Sequence, residues 1–260
     1  MSAPPSSQDL LAAALEFERG TLELVVDEVR PIEQGWVVRS PSFPDVWLFN
    51  NIRIEAEITY EEAGALCRRH LPEVGYDQLF ILNKDVGERL AEVFRADGWK
   101  VDVDVHSVLR TPPDRRVDTD AVIEGSEDET LDLMERWTRE DPTLEVSPAA
   151  FGQLREGNRL SWRARNATRL GVRDGDGRLA GITMLYSDGR MAQVEDVYVI
   201  PEARGRGYGR MLVTRAVELS LRGGHELTFI VADDNNWPKR LYHKLGFEPV
   251  GRSWLVHRER

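Results

Sequence analysis

Cysteine is almost absent from this chain, and long apolar runs are missing. Among 260 residues there is one cysteine, Cys67, so no intrachain disulfide can form and a reducing compartment suits the protein. No apolar run approaches the roughly 20 residues that a membrane-spanning helix needs. The N-terminus has neither the basic start nor the apolar core of a secretory signal. These absences predict a cytoplasmic protein with no membrane partner.

Metal-ligand spacing and excess positive charge are lacking as well. No arrangement of His, Cys and Asp predicts a metal site, and Cys67 lies in a helix-like stretch where a buried structural thiol is the usual role. Asp and Glu total 45 against 34 Lys and Arg, a formal charge of −11. This balance argues against a nucleic-acid partner and favours a cationic or neutral one.

The length favours two domains of ordinary size. Between Leu109 and Asp120 the chain has two adjacent prolines, dense charge and no apolar periodicity, which indicates an exposed linker. We therefore predict domains at residues 1–115 and 116–260.

Both halves alternate strand-like and helix-like segments. The run Leu22–Val26 predicts a strand near the start, and Glu127–Glu140 predicts a helix because Leu131, Met134 and Trp137 recur at three-residue spacing. The halves also look related at the 148-residue offset between Gly98 and Gly246. That offset superposes these pairs of segments without a gap: Leu79–Leu82 on Leu227–Ile230, Val93-Phe94 on Leu241-Tyr242, and Gly98-Trp99 on Gly246-Phe247. A duplicated fold is the economical interpretation.

A glycine-rich loop follows the β-rich segment that runs from Val194 to Ile200. Glycines 205, 207 and 209 remove side chains that would keep an anion away from backbone N–H groups, and the helix that follows offers unpaired donors and a positive dipole. Three basic side chains in the same segment add charge-assisted contacts: Arg204, Arg206 and Arg210. The segment therefore predicts a diphosphate-binding loop.

Two other phosphate-binding motifs fit poorly. The dinucleotide motif requires G-x-G-x-x-G at a tight turn directly after the strand, whereas the spacing here is G-x-G-x-G and begins several residues after Pro201. A Walker loop would need Gly-Lys-Ser/Thr, which does not follow.

Arg204-x-x-Gly207-x-Gly209 resembles the Arg/Gln-x-x-Gly-x-Gly/Ala signature of the GNAT superfamily of N-acetyltransferases. A second signature of that superfamily, an Asn followed seven residues later by Tyr and then by Gly-Phe, resembles Asn235, Tyr242 and Gly246-Phe247. The two motifs cover residues 194–247. The resemblance implies an α+β protein of two GNAT-like domains, each a mixed, mostly antiparallel sheet flanked by helices, with a degenerate first domain.

The resemblance also implies a binding site for acetyl-CoA in a V-shaped gap between the strand that ends at Ile200 and the strand Leu227–Ala232. Pantetheine would pair with the backbone of one strand and the pyrophosphate would lie on the loop. The implied contacts are Val197, Tyr198, Val199, Arg204, Gly205, Arg206, Gly207, Tyr208, Gly209 and Arg210. Asn235 would contact the cofactor or cap the helix that Pro238 opens. The first half has no such loop, so we expect it not to bind the cofactor.

Transfer to an amine requires a base and an acid, because an alkylamine is almost fully protonated at pH 7 and the departing thiolate needs a proton. Tyr242 is the candidate acid, since the superfamily often uses this tyrosine for that step. Glu195 is the candidate base, since Val194-Glu195-Asp196 is similar to the Leu-Glu-Asp of spermidine/spermine acetyltransferases. Strand alternation sends Glu195 and Asp196 to opposite faces unless a local bulge intervenes.

The sequence thus predicts an acyl-CoA-dependent N-acyltransferase that acetylates a primary amine, with a small molecule favoured over a protein as acceptor. Aminoglycoside, polyamine, amino acid, small thiol precursor and protein N-terminus all remain open, and a homodimer is allowed. The alternative is a non-catalytic acyl-CoA-binding sensor or interaction module that keeps the fold without turnover.

Overall fold

The computed structural model describes residues 5–140 and 146–260. Residues 1–4, part of the N-terminus in which we expect no secretory signal, lie outside the described residues, as do residues 141–145. Within the described ranges, none of the helices has both the length and the apolar character needed to cross a bilayer.

The described chain forms seven α-helices and eleven β-strands. In the first part of the chain these are α1 (Ser7–Val25), β1 (Glu28–Ile32), β2 (Gly35–Arg39), β3 (Asn51–Ile54), α2 (Tyr60–His70), β4 (Tyr76–Ile81), α3 (Lys84–Ala96) and β5 (Lys100–Leu109). The second part has β6 (Ile123–Glu124), α4 (Glu127–Glu140), α5 (Pro148–Ala164), β7 (Thr168–Arg173), β8 (Leu179–Ser187), β9 (Met191–Val199), α6 (Tyr208–Arg222), β10 (Leu227–Asp233), α7 (Pro238–Lys244) and β11 (Phe247–Glu259).

These elements cluster into two compact units, and each unit takes chain from both halves of the sequence. Unit 1 comprises Met1–His106, Ala232–Asn236 and Val250–Arg260, and unit 2 comprises Ser107–Val231 and Trp237–Pro249. The predicted domains at 1–115 and 116–260 stay a prediction about how the chain divides.

In unit 1 the C-terminal part of β11 completes the sheet. The strand order is β1-β2-β3-β4-β11-β5. Trp254 to Glu259 of β11 run antiparallel to Ile81 to Tyr76 of β4, and β3 runs parallel to β4 from Ile52 to Ile54. Trp254 is buried in the core of this unit. The last strand of the chain is therefore part of the first unit's core.

A buried carboxylate on β4 also forms ion pairs with the C-terminal residues of the chain. Asp77 on β4 is 1% exposed, and its Oδ1 lies 2.7 Å from Nε of Arg260. Its Oδ2 lies 3.3 Å from Arg258 and 3.5 Å from Arg68. Because an unpaired buried carboxylate is costly, these arginines hold the C-terminal residues against β4.

Unit 2 contains the strand order β10-β9-β8-β7-β6, in which β7, β8 and β9 run antiparallel and β10 runs parallel to β9. Residues after β5 belong to this unit and lie against the turn between α7 and β11: the N–H of Arg110 donates to Gly246 at 2.9 Å, and the N–H of Asp114 donates to Lys244 at 2.8 Å. The predicted linker is thus largely exposed but hydrogen-bonded.

The N-terminal helix corrects one prediction. Leu22–Val26 was expected as a strand, but α1 continues to Val25. The helix starts at a capping box between Ser6 and Asp9 and buries Ala14, Phe17 and Val25. Leu22, Glu23 and Leu24 are good helix formers, and buried Val25 anchors the last turn.

Other sequence-based expectations are confirmed. The helix Glu127–Glu140 has the predicted bounds. Cys67 is buried, and burial raises the pKa of its thiol to about 12, as expected for an inert structural residue. At the 148-residue offset, β4 matches β10, and Gly98 and Gly246 both have positive φ, 81° and 96°. The mixed α+β class and the internal duplication are both seen in this structure.

Candidate functional site

Strand β9 separates from its parallel neighbour halfway along its length. The register pairs Leu227 with Met191 and ends where Ile230 pairs with Val194, although both strands continue. On its other side β9 stays paired with β8, as far as Val199 opposite Gly181. From Asp196 to Val199, no strand of the described chain pairs with this edge of β9. Such an edge can pair with an extended ligand, which matches the V-shaped gap that the resemblance implies.

The loop after β9 exposes backbone. Gly205 and Gly207 have φ of 78° and 85°, and a Cβ atom added at either position would meet open space. Helix α6 begins at Tyr208, with Gly207 as an N-cap that supplies no side-chain hydrogen bond, and its first turn has no acidic residue. The first intrahelical donor is the N–H of Met211, which bonds to Gly207 at 3.0 Å. The preceding N–H groups of the turn are left for an anion.

The three arginines of the loop differ in availability. Arg204 and Arg206 are exposed, and within residues 5–140 and 146–260 their side chains donate to backbone oxygens, of Val199 at 3.1 Å and of Glu202 at 3.4 Å. Arg210 is buried, and its Nη1 donates to Oδ1 of Asp114 at 2.6 Å. Arg204 and Arg206 can therefore swing toward a phosphate, whereas Arg210 is already committed to a carboxylate. The predicted cofactor role of Arg210 stays a prediction.

A bulge in β9 changes the direction of its side chains. Met184 faces Glu195 and Ile182 faces Tyr198, so Thr183 alone faces two residues of β9. Asp196, the first of these two, has φ of 54°, the left-handed region. The bulge interrupts regular alternation at Asp196 and Val197, which both stand opposite Thr183, whereas Glu195 stands opposite Met184.

The charges of both carboxyl groups act on Tyr186 of β8. Burial raises the pKa of Tyr186 well above its ordinary value, and the charges of Asp196 and Glu195 raise it further. Gln193 donates to Oε1 of Glu195 at 2.5 Å. Burial also raises the pKa of Asp196 to about 6. Two acidic residues thus follow directly after the point where β9 and β10 part.

Tyr242 is near enough to Glu195 for its charge to act on the phenol. It is 7% exposed, and its ring packs edge-on against Phe247 with centroids 6.4 Å apart. Burial raises the pKa of Tyr242, and the charge of Glu195 raises it further. The phenol therefore stays protonated at neutral pH, which is the form a proton donor needs. The sequence-predicted acid and base are neighbours in unit 2.

Asn235 is placed differently from the other candidates. It is exposed and belongs to the segment Ala232–Asn236 of unit 1, where its N–H donates to Asp233 at 2.7 Å. The N-cap of α7 is Trp237, which makes no side-chain cap bond. The capping role offered for Asn235 is wrong, because the N-cap lies two residues later and the helix starts at Pro238. Its contact with a cofactor stays a prediction.

Two further residues had no signal in the sequence. Asp114, which binds Arg210, lies in the charged stretch that indicated only a linker. Tyr186 lies in a continuous apolar run of β8 and looked like an ordinary core residue. Asp114 contacts Arg210, and the charges of Glu195 and Asp196 act on Tyr186, so both residues relate to predicted site residues on other elements.

A strand pair that parts in its middle, followed by a glycine-rich loop and an uncapped helix, defines the GNAT acyltransferase fold class for unit 2. Comparison with known proteins agrees. Residues 131–247 match the Acetyltransferase (GNAT) family. The chain therefore carries a GNAT acetyltransferase domain within residues 131–247.

Individual relatives are similar over part of the chain. The chain is 38% identical over 82 residues to a mycothiol acetyltransferase of Clavibacter sepedonicus, a match that covers 31% of this chain and 27% of that protein. The matches to the first curated relatives span less than half of their lengths.

Two solved structures extend the likeness to the whole chain as a fold. A conserved protein from Staphylococcus epidermidis ATCC 12228 superposes with a TM-score of 0.68 at 15% identity, covering 91% of this chain and 95% of that one. A tandem GNAT protein from the clavulanic acid biosynthesis pathway superposes with a TM-score of 0.54 at 18% identity, covering 100% of this chain and 89% of that one. The tandem GNAT-like architecture expected from the sequence is confirmed.

Proposed function

We propose that the protein transfers an acetyl group from acetyl-CoA to a primary amine. The observation that carries the proposal is the parting of β9 from β10 after Val194 and Ile230, next to a helix whose first turn is uncapped. The edge of β9 from Val197 to Val199, beyond the end of the pairing with β10, suits the amide groups of pantetheine, and the N–H groups at Gly207 suit a diphosphate. In this proposal Arg204 and Arg206 add charge to the diphosphate contact.

Acid and base are supplied by neighbouring side chains of the same unit. Glu195 takes the proton of the ammonium, and the amine then attacks the thioester carbonyl. Tyr242 gives its phenolic proton to the departing thiolate. Burial raises the pKa of Tyr242, and a thiolate in the same surroundings becomes more basic for the same reason, so the transfer keeps about the small uphill difference of the free groups.

The loop assignment is tested by Gly207→Val. A side chain here blocks the approach of the diphosphate to the N–H groups, so affinity for CoA should fall by at least 100-fold in calorimetry. Gly177→Val is the matched control: Gly177 also belongs to unit 2, has φ of 77° and has open space around its Cβ position. The control shares the backbone strain and should keep its affinity. Equal affinity in both variants would refute the loop assignment.

Turnover separates the enzyme from a CoA-binding sensor. Acetyl-CoA is offered with spermidine, kanamycin, lysine, cysteamine and a short peptide with a free N-terminus, and thiol release is measured. An enzyme releases CoA thiol with at least one amine, and Tyr242→Phe slows this release without changing CoA affinity. Binding of CoA with no release on a wide amine panel would favour the sensor.

A further inference from the structure

An acidic residue lies beside the predicted diphosphate loop. Glu202 belongs to the short 3-10 turn Pro201–Ala203, which joins β9 to the glycine-rich segment. Its side chain is exposed, and its backbone oxygen accepts from Nη2 of Arg206 at 3.4 Å. A carboxylate at this point is unfavourable for a diphosphate, because like charges repel and because the carboxylate can pair with the arginines that a diphosphate would use.

The Glu202 carboxylate is bound by an arginine from another element. Both of its oxygens accept from Nη2 of Arg136 on α4, at 2.8 and 2.9 Å. Within the described ranges, the side chains of Arg204 and Arg206 donate to backbone oxygens instead. The pKa of Glu202 is lowered first by its own backbone N–H and then by Arg136, and the charge of Arg204 acts in the same direction. Arg204 therefore lies within range of this carboxylate.

A second carboxylate orients Arg136. Nε of Arg136 donates to Oε1 of Glu140, one turn later on α4, at 2.6 Å. The hydroxyl of Tyr198 on β9 donates to Oε2 of Glu140 at 2.5 Å. Tyr198 is buried, and its ring stacks on Trp137 with centroids 5.3 Å apart. The guanidinium that binds Glu202 is thus held by a network fixed to β9, and all of its members belong to unit 2.

We propose that Arg136 is a positioning residue of the diphosphate site, which binds Glu202 and so leaves Arg204 and Arg206 free for the cofactor. The proposal rests on the proposed function and deepens it, because it assigns a role to a residue outside the loop. Arg136 acts through Glu202 and does not itself have to contact CoA. Its effect is electrostatic, since it neutralises a carboxylate at the edge of an anion site.

A purely structural role for the same ion pair makes a different prediction. If the pair only braced the loop, removal of either partner would weaken CoA binding equally, and removal of both would be no better. If Arg136 neutralises a competing carboxylate, loss of Arg136 alone is harmful, and loss of Glu202 as well restores affinity. The side chains are 38% and 66% exposed, and exposed ion pairs contribute little to stability, which favours the second role.

The test uses four full-length variants: Arg136→Gln, Glu202→Gln, the double variant, and Arg139→Gln as a matched control. Arg139 lies on the same helix and pairs with Glu135 at 2.6 Å, so its replacement removes the same charge and a similar ion pair. Affinity for CoA is measured by calorimetry at about 20 mM and at about 500 mM salt, because exposed charges are screened over this range.

At low salt we expect Arg136→Gln to bind CoA about fivefold more weakly than Arg139→Gln, because the freed carboxylate pairs with the arginines of the loop. Glu202→Gln and the double variant should both stay within about twofold of the wild type. At high salt the deficit of Arg136→Gln should shrink to about twofold or less, since the competing ion pair is exposed. A bracing contact would give neither the rescue nor this salt dependence.

Other outcomes overturn the proposal. These are equal losses in the two single variants, a double variant as weak as Arg136→Gln, or an Arg136→Gln variant that binds CoA as tightly as Arg139→Gln. If Arg136→Gln does not fold by circular dichroism, Arg136→Met, which keeps the apolar stem, replaces it under the same expectations. A wild-type chain that binds no CoA would instead refute the proposed function, which keeps the two failures distinct.

Discussion

The two units contain the same strand-helix pattern, but their parallel strand pairs differ in how far the pairing extends. In unit 1, β3 pairs with β4 from Ile52 up to the last residue of β3, Ile54, whose oxygen also accepts from Leu82. In unit 2, β9 pairs with β10 only as far as Val194, although β9 itself extends to Val199. The first unit has closed the gap that the second keeps open.

The helices that follow these strands differ in the same sense. Thr59 caps α2, and Glu62 bonds back to the N–H of Thr59, so the helix terminus is satisfied by its own side chains and carries acidic charge. Helix α6 has a glycine N-cap with no side-chain bond and no acid in its first turn. One terminus would repel an anion and the other invites one. We therefore propose that only unit 2 binds the cofactor.

Tyr242, the proposed acid of the second unit, aligns with a residue that has no hydroxyl in the first. At the 148-residue offset Phe94 takes the place of Tyr242, and it is fully buried in the core. Phe94 keeps the aromatic ring that packs in the core but lacks the hydroxyl of Tyr242, which suits a unit for which we propose no catalytic step. This comparison yields three predictions, of which the largest concerns folding itself.

The segment 1–115 should not fold by itself. It lacks the C-terminal strand Val250–Arg260, which supplies the neighbour of β4 and the partners of buried Asp77. We expect it to lack a cooperative unfolding transition in circular dichroism, whereas the full chain unfolds cooperatively. Joining residues 250–260 to the segment through a flexible linker should restore folding. Cooperative unfolding of 1–115 alone would support the domain bounds drawn from the sequence and contradict the strand's role in unit 1.

A single substitution sharpens the same point. Arg260 pairs with Asp77 and also donates to the backbone oxygens of Leu71 and Val74. Arg260→Ala should lower the free energy of unfolding by about 2–3 kcal/mol, because a nearly fully buried carboxylate loses a partner. Arg252→Ala is the control, since Arg252 pairs with Asp234 at a more exposed site and should cost less than about 1 kcal/mol. Equal costs in urea titrations would show that the last residues do not stabilise unit 1.

Features that depend on residues close in sequence could be predicted, whereas contacts between residues distant in sequence could not. The glycine loop and the helix Glu127–Glu140 were predictable because spacing within a few residues determines them. The pairing of Asp114 with Arg210 was not predictable, since it joins a linker to a helix across a long stretch of chain. The bulge at Asp196 could not be predicted for a different reason, because nothing in the local sequence distinguishes a bulged strand from a regular one at this position.

The smallest predicted effect compares the two helix termini directly. Thr59→Ala removes the side chain that accepts from the N–H of Glu62, and should lower the free energy of unfolding by about 1 kcal/mol. Thr59→Ser keeps the hydroxyl and should remain within about 0.5 kcal/mol of the wild type.

Neither change should alter CoA affinity in calorimetry, because the terminus it touches is already satisfied and acidic. If Thr59→Ala instead created a second CoA site, the cap would be what keeps unit 1 empty, and closure of its strands would not be needed to explain the difference. If the free energy of unfolding changes and CoA affinity does not, removing the cap is not enough to create an anion site in unit 1. The paired strands then also prevent CoA from binding there. The paired end of β3 then accounts for the division of labour between the two units.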